Sequence, residues 1–208
     1  VGKERGSRRT EAYDQELGDA VASAQQGDET AFSTAYRIVH APLLGYLRGL
    51  VGDEAEDVAS DAWLEIARDL GRFRGDGAGF RAWTASIARN RAVDHLRRVR
   101  SRPRGTLLES DLVGLPARQD TAAEAFETVS TRQALALVAQ LPRRQAEAVL
   151  LQTVIGLDGP AAARVLGKRP GAVRSATHRG LRRLEKYLSS LASGGVTDSD
   201  SPSLGDAR

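Results

Sequence analysis

The sequence predicts an all-α protein made of two small helical domains joined by a flexible linker. Three observations lead there. The composition is rich in Ala, Leu, Arg and Glu and has no runs of the Val, Ile, Thr and Tyr that build strands. Apolar residues recur at helical spacing along most of the chain. Between Ser101 and about Asp120 that periodicity fails, and Pro103, Gly105, Gly114 and Pro116 punctuate a stretch too long for a loop within one compact domain. At 208 residues there is room for one ordinary domain or two small ones.

The elements follow in order. Residues 1–13 mix charge with Gly and Ser and read as a disordered tail. Residues 15–26 form a short helix with Leu17, Val21 and Ala24 on one face, closed by Gly27. A second helix runs from Thr30 to Ala41, and Pro42 is placed to open a third, with Leu43, Leu47 and Leu50 on one side and Gly52 as its end. From Glu54 to Leu70, Val58, Ala62, Ile66 and Leu70 make an apolar stripe, with Trp63 and Ala67 beside it. A Gly-rich loop, GRFRGDGAG, precedes a helix from about Phe80 to Arg98 whose stripe is Phe80, Trp83, Ile87 and Ala88. The first domain thus spans 14–100 and the linker 101–125. The second domain spans 126–192. There Pro142 opens a helix carrying Ala146, Val149, Leu150, Thr153 and Val154, and Asp158 caps a short helix ending at Leu166. Pro170 starts a last helix with Val173, Thr177, Gly180, Leu184 and Leu188 turned inward, and 193–208 is a disordered tail.

Several classes are excluded. Without Cys there are no disulfides or Cys-bound zinc, and the three His (His40, His95, His178) are too scattered in sequence for a metal cage. No metal, cofactor or catalytic group is expected. No apolar stretch approaches roughly 18 residues and the N-terminus lacks the apolar core of a signal peptide, which predicts a soluble, cytoplasmic protein with no membrane partner. Net charge is only +3, but it is segregated. An acidic block (Asp53, Glu54, Glu56, Asp57, Asp61, Glu65, Asp69) faces one Arg68, while 89–104 and 168–186 are strongly basic. That pattern suggests one basic partner and one polyanion.

The segment LGKRPGAVRSATHRGLRR, residues 166–183, answers what the polyanion is. A short helix, a turn at Gly167 and a second helix form the helix-turn-helix arrangement, whose second helix enters the DNA major groove N-terminus first. Arg174, Ser175, His178 and Arg179 cluster opposite Val173 and Thr177, where Arg can bridge guanine O6 and N7. Arg169 precedes that helix, and Arg182, Arg183 and Lys186 are placed to reach phosphates. Spacing alone does not say which class of DNA-binding protein this is. A stand-alone regulator would use the same motif without further partners, and a nuclease could place Asp57, Asp61 and Glu65 around a magnesium ion. Against the nuclease, all three carboxylates lie on one helix face.

LPRRQAEAVLLQTVIGLDGPAAARVLGKRPGAVRSATHRGLRRLEKYL resembles region four of bacterial RNA polymerase sigma factors of the extracytoplasmic-function type. The matching positions are Leu141-Pro142, Gln145, Leu166-Gly167, Gly171, Val173, Arg174, Ser175 and Arg179. GDETAFSTAYRIVHAPLLGYL and AEDVASDAWLEIARDLGRFRGDGAGFRAWTASIARNRAVDHLRR resemble region two, in the right order and ahead of the linker. The sequence departs from the family where Arg169 replaces a small polar cap and where Ala176 replaces a common arginine.

The resemblance implies a dissociable subunit, not an enzyme, that gives core RNA polymerase its promoter. Region two would dock on a β′ coiled coil through Asp57, Asp61 and Glu65, with Trp63 and Leu64 adding apolar contact, and region four would meet the β flap. The loop Phe73, Arg74, Gly75, Asp76, Gly77 would fold around an extruded base of the −10 element. Asn90, Arg91, Asp94, His95, Arg97 and Arg98 would hold duplex phosphates and the edge of the melted region. Arg169, Arg174, Ser175, His178, Arg179 and Arg182 would read the −35 element. In the family an anti-sigma protein often masks these surfaces, and nothing in this sequence identifies one.

Overall fold

The structure, a computed structural model, describes residues 2–101, 131 and 133–194, and these are almost entirely helical. The expected linker beyond Ser101, the start of the second domain at 126–130 and the tail beyond Gly194 lie outside the described residues.

Helix α1 spans Gly2–Ala24. The sequence predicts disorder over 1–13, yet the helix already runs from Gly2. Leu17, Ala20 and Val21 are buried and fix the helix against its neighbours. Once a turn is held, each further residue adds a backbone hydrogen bond at little cost, and Glu11, Ala12 and Gln15 are good helix formers.

Helix α2, Glu29–Val51, starts at Asp28, whose carboxylate accepts from the backbone N–H of Thr30 (2.9 Å) and Ala31 (3.0 Å). Pro42 sits inside this helix instead of opening a new one. Proline removes one backbone donor. The loss is outweighed by a continuous buried stripe of Ala35, Val39, Leu43, Leu44, Tyr46 and Leu47 on either side of it. A 3-10 turn at Gly52–Glu54 leads into α3, Ala55–Asp69, and a second at Leu70–Arg72 leaves it.

Helix α4, Gly77–Ser101, begins three residues before the Phe80 predicted from the sequence. Asp76 accepts from Gly79 N–H at 2.7 Å, and its carbonyl from Phe80 N–H at 2.8 Å. Gly77 and Gly79 are therefore helix, not loop. At Gly77 a β-carbon would fall 2.0 Å from the Asp14 carbonyl oxygen, so only glycine lets α4 start against α1.

The four helices bury Leu17, Leu43, Tyr46, Leu47, Ile66 and Phe80 at their centre. After the break, α5 (133–139) and α6 (Arg143–Thr153) precede α7 (Gly159–Leu166) and α8 (Pro170–Gly194). Leu150, Leu151, Ala162 and Val173 make the second core. Leu188, expected inward, is 56% exposed. The 25-residue α8 runs roughly 37 Å against roughly 16 Å for the 11-residue α6, so its last turns outrun the helix that covers it. The two cores also touch: α6 packs on α2, and α7 packs on α4.

Candidate nucleic-acid interface

Three exposed faces carry the candidate residues. The first is built by α7, the turn and α8. Asp158 accepts from Ala161 N–H at 2.7 Å and starts α7. Gly167, at φ 60° and ψ 40°, ends it in the left-handed region that glycine occupies without strain. Gly167 N–H then donates to Arg164 O (3.1 Å) and Lys168 N–H to Ala163 O (2.9 Å), the paired bonds of a tight helix stop. Three residues later α8 begins. Arg169 supplies no side-chain cap, but its carbonyl accepts from Ala172 and Val173.

Val173 and Thr177 are buried, and Gln152 Nε2 donates to Thr177 Oγ1 at 3.0 Å. With that side fixed, Arg169, Arg174, Ser175, His178, Arg179 and Arg182 are all solvent-exposed. None of these cations meets a carboxylate among the described residues. The arrangement presents unpaired guanidinium groups on the outer face of a helix whose inner face is locked.

The second face lies on α3. Asp57, Asp61 and Leu64 recur at i, i+4 and i+7 and are exposed, Leu64 to 72%. The other two residues assigned there behave differently. Trp63 is 8% exposed. Its Nε1 donates to His40 Nδ1 at 3.1 Å, and its ring lies 4.6 Å from that of Tyr36 and edge-on to Phe32. It belongs to the core, because α3 turns it toward α2. Glu65 accepts from Arg91 Nε at 2.7 Å, so it ties α3 to α4. Asp69 accepts from Arg68 Nη2 at 2.9 Å, and that bond holds its carboxyl below the usual carboxylate range. Asp57 and Asp61 are left without a cation partner among the described residues.

The third face joins the loop to α4. Phe73 is buried, at 5.2 Å from both Phe80 and Trp83, so its ring fills the core under the loop. Arg74 curls back onto the carbonyls of Gly71 (2.8 Å) and Phe73 (2.6 Å). Gly75 and Asp76 are exposed, Asp76 being engaged as the helix start, and Gly77 is buried against α1. On α4, Asn90 and Arg98 are exposed and His95 is half-buried. Arg91 is paired with Glu65, and Asp94 with Arg97 at 3.3 Å.

Arg97 lines a cleft of about 790 Å³ whose far wall includes Arg179. Arg100, Arg144 and Lys168 line the same cleft and have no carboxylate partner among the described residues, and none was singled out from the sequence. Arg100 and Lys168 lie in the two basic blocks, which is the signal that could have found them. Arg144 follows Arg143 at the start of α6, outside both blocks, and gave none. No group of three His, Asp or Glu side chains is placed to hold a metal ion among the described residues. No helix among them is long and apolar enough to cross a membrane.

Comparison with known proteins agrees on both halves. Residues 35–102 match the family model for sigma-70 region 2, and residues 131–184 match sigma-70 region 4. The chain is 31% identical to the ECF RNA polymerase sigma factor BldN of Streptomyces coelicolor over 82% of its own length and 65% of BldN's. It is 32% identical to the ECF RNA polymerase sigma factor ShbA of Streptomyces griseus over 81% of its length and 93% of ShbA's. Its fold is similar to that of the sigma factor RpoE in complex with the anti-sigma factor NepR from Bartonella quintana. The TM-score is 0.56 and the identity 22%, covering 76% of this chain and 96% of that one.

Proposed function

Because this chain belongs to the extracytoplasmic-function sigma factors of the sigma-70 family, we infer that it binds core RNA polymerase and confers promoter selectivity through three exposed faces. The observation that carries the assignment of faces is α8: a locked inner side and an outer side of unpaired Arg174, Arg179 and Arg182 with Ser175 and His178. That geometry suits major-groove reading of a −35 element, with Arg169 and Arg182 on the flanking phosphates.

The α3 face pairs two free carboxylates with an exposed leucine, which suits a basic, partly apolar coiled coil such as that of β′. Asp57, Asp61 and Leu64 carry that docking, while Trp63 and Glu65 hold the face in place from behind. On α4, Asn90, His95, Arg97 and Arg98 are offered to the −10 region, with Gly75 and Asp76 at the loop. Phe73 acts by supporting that loop from the core, and Arg91 and Asp94 by their ion pairs.

In this reading region two comprises 14–100 and region four 126–192, the latter meeting the β flap. The chain contributes binding and positioning, and the bond-forming chemistry belongs to the polymerase. Its place of work is the cytoplasm, where polymerase and chromosome are. NepR binds RpoE, and an anti-sigma protein is an expected partner here on that likeness.

The test is direct binding of the purified full chain to Streptomyces core RNA polymerase, wild type against Asp61→Arg. Tight binding that the charge reversal weakens supports the reading. Absence of core binding, with salt-sensitive binding to duplex DNA alone, overturns it in favour of a stand-alone regulator.

A further inference from the structure

Helix α1 lies outside the three faces and ahead of the segment matched to sigma-70 region 2, yet the residue that follows it reaches the loop of the third face. Gly27, at φ 96°, stops the helix. Its N–H donates to Ala24 O (3.0 Å) and Asp28 N–H to Ser23 O (3.3 Å), while Gln25 N–H still donates to Val21 O (3.0 Å). The backbone of Gln25 is therefore fixed on both sides, by α1 before it and by the Asp28 cap of α2 after it. Gln25 is exposed, but its side chain is tied: Nε2 donates to Leu70 O at 2.8 Å and to Phe73 O at 2.9 Å. Both partners are acceptors, so only the nitrogen end of the amide fits, one hydrogen to each carbonyl.

Those two carbonyls bracket the 3-10 turn that leads into the loop. Phe73 N–H donates to Leu70 O (3.0 Å) and Arg74 Nη1 to Phe73 O (2.6 Å), so each oxygen takes one local donor and one from Gln25. Beyond the turn the Phe73 ring is held by Phe80 and Trp83. A β-carbon at Gly75 would lie 2.9 Å from Phe73 Cζ, so the chain closes over that ring. Asp76 is fixed in its turn as the start of α4. Only Arg74 and Gly75 stand between the two fixed points, and both are exposed.

We propose that Gln25 is a positioning residue for base selection: by holding the Leu70–Phe73 turn it keeps the Arg74–Gly75 tip in the shape that receives an extruded base of the −10 element. The inference rests on the sigma reading above. A loop already ordered before its ligand arrives does not pay for that ordering on binding. Hydrogen bonds weaken steeply once their angles are lost. A tip that drifts would still hold phosphates by charge, and would tell one base from another less well. The Phe73 ring and the start of α4 are held without Gln25, so losing its amide leaves the fold in place and loosens only the turn.

The test uses the full chain in holoenzyme with Streptomyces core, comparing wild type, Gln25→Met and Gln25→Lys. Methionine keeps the unbranched stem and removes both donors, while lysine restores donors on a stem of similar reach. The probe is a fork template built from a genomic fragment that the wild-type holoenzyme transcribes. It is duplex across the −35 element, and its non-template strand is single across the −10 element, where each base is replaced in turn. The readout is the ratio of affinities for the original and the replaced base at the position where wild type discriminates most. A merely structural role lowers the amount of active protein for every template alike and leaves this ratio unmoved. Gln25→Met should lower the ratio roughly 3- to 10-fold, as for the loss of one or two ordinary hydrogen bonds, with core binding within about twofold of wild type. Gln25→Lys should restore most of it. An unchanged ratio in Gln25→Met overturns the proposal. A loss as large in Gln25→Lys also overturns it, because the effect then belongs to the stem and not to the donated bonds. If wild type binds core but discriminates at no −10 position, the loop assignment has failed and the clamp with it. If wild type does not bind core, the sigma reading itself has failed.

Discussion

Replacing Leu64 separates docking from folding on α3. Leu64 is 72% exposed in the free chain, while its neighbour Trp63 is 8% exposed. Burying a whole leucine is worth about 1.5–3 kcal/mol, so the exposed part of Leu64 offers roughly 1–2 kcal/mol to a partner that covers it. Leu64→Ser should therefore weaken core polymerase binding roughly 5- to 30-fold. Its effect on stability should stay within about 0.5 kcal/mol, as for other surface changes. Trp63→Ala should behave in the opposite way. It removes a ring packed on Tyr36 and Phe32 and the bond to His40, at about 3–5 kcal/mol. That is a large share of the roughly 5–15 kcal/mol that holds a domain together. The assay is a fluorescence competition titration against core polymerase, with thermal melting followed by circular dichroism. If Leu64→Ser binds core within twofold of wild type while its melting is unchanged, the exposed face of α3 is not the docking surface.

Arg174→Ala should cost about 1–3 kcal/mol on the preferred −35 duplex and relax selectivity at one base pair, whereas Arg182→Ala should weaken all sequences alike and reduce the salt slope by about one. Both are read by titrating the holoenzyme on duplexes at several salt concentrations. Gly77→Ala places a β-carbon 2.0 Å from the Asp14 carbonyl, so α1 must shift off α4. A loss of about 1–3 kcal/mol, the usual range for overpacking, is expected in chemical denaturation.

What could be read from the sequence was local. The stripe of Val58, Ala62, Ile66 and Leu70 and the Leu166–Pro170 turn each depend on residues within a few positions, and both were visible. The outer face of α8 was legible for the same reason: once Val173 and Thr177 are placed inward, Arg174, Ser175 and His178 have nowhere else to point. The differences between sequence expectation and structure share another cause. Trp63 and Leu64 are adjacent in sequence, and only α2, which supplies His40 and Tyr36, decides which of them is sheltered. The resemblance assigns Phe73 to a DNA-facing loop, while its burial depends on Phe80 and Trp83 across a helix start. Pro42 reads as a helix opening on local rules, and tertiary burial on both sides of it carries the helix through. Gly45 and Gly49 have no local meaning at all. Their role appears only when Leu150, a hundred residues away, lies against them.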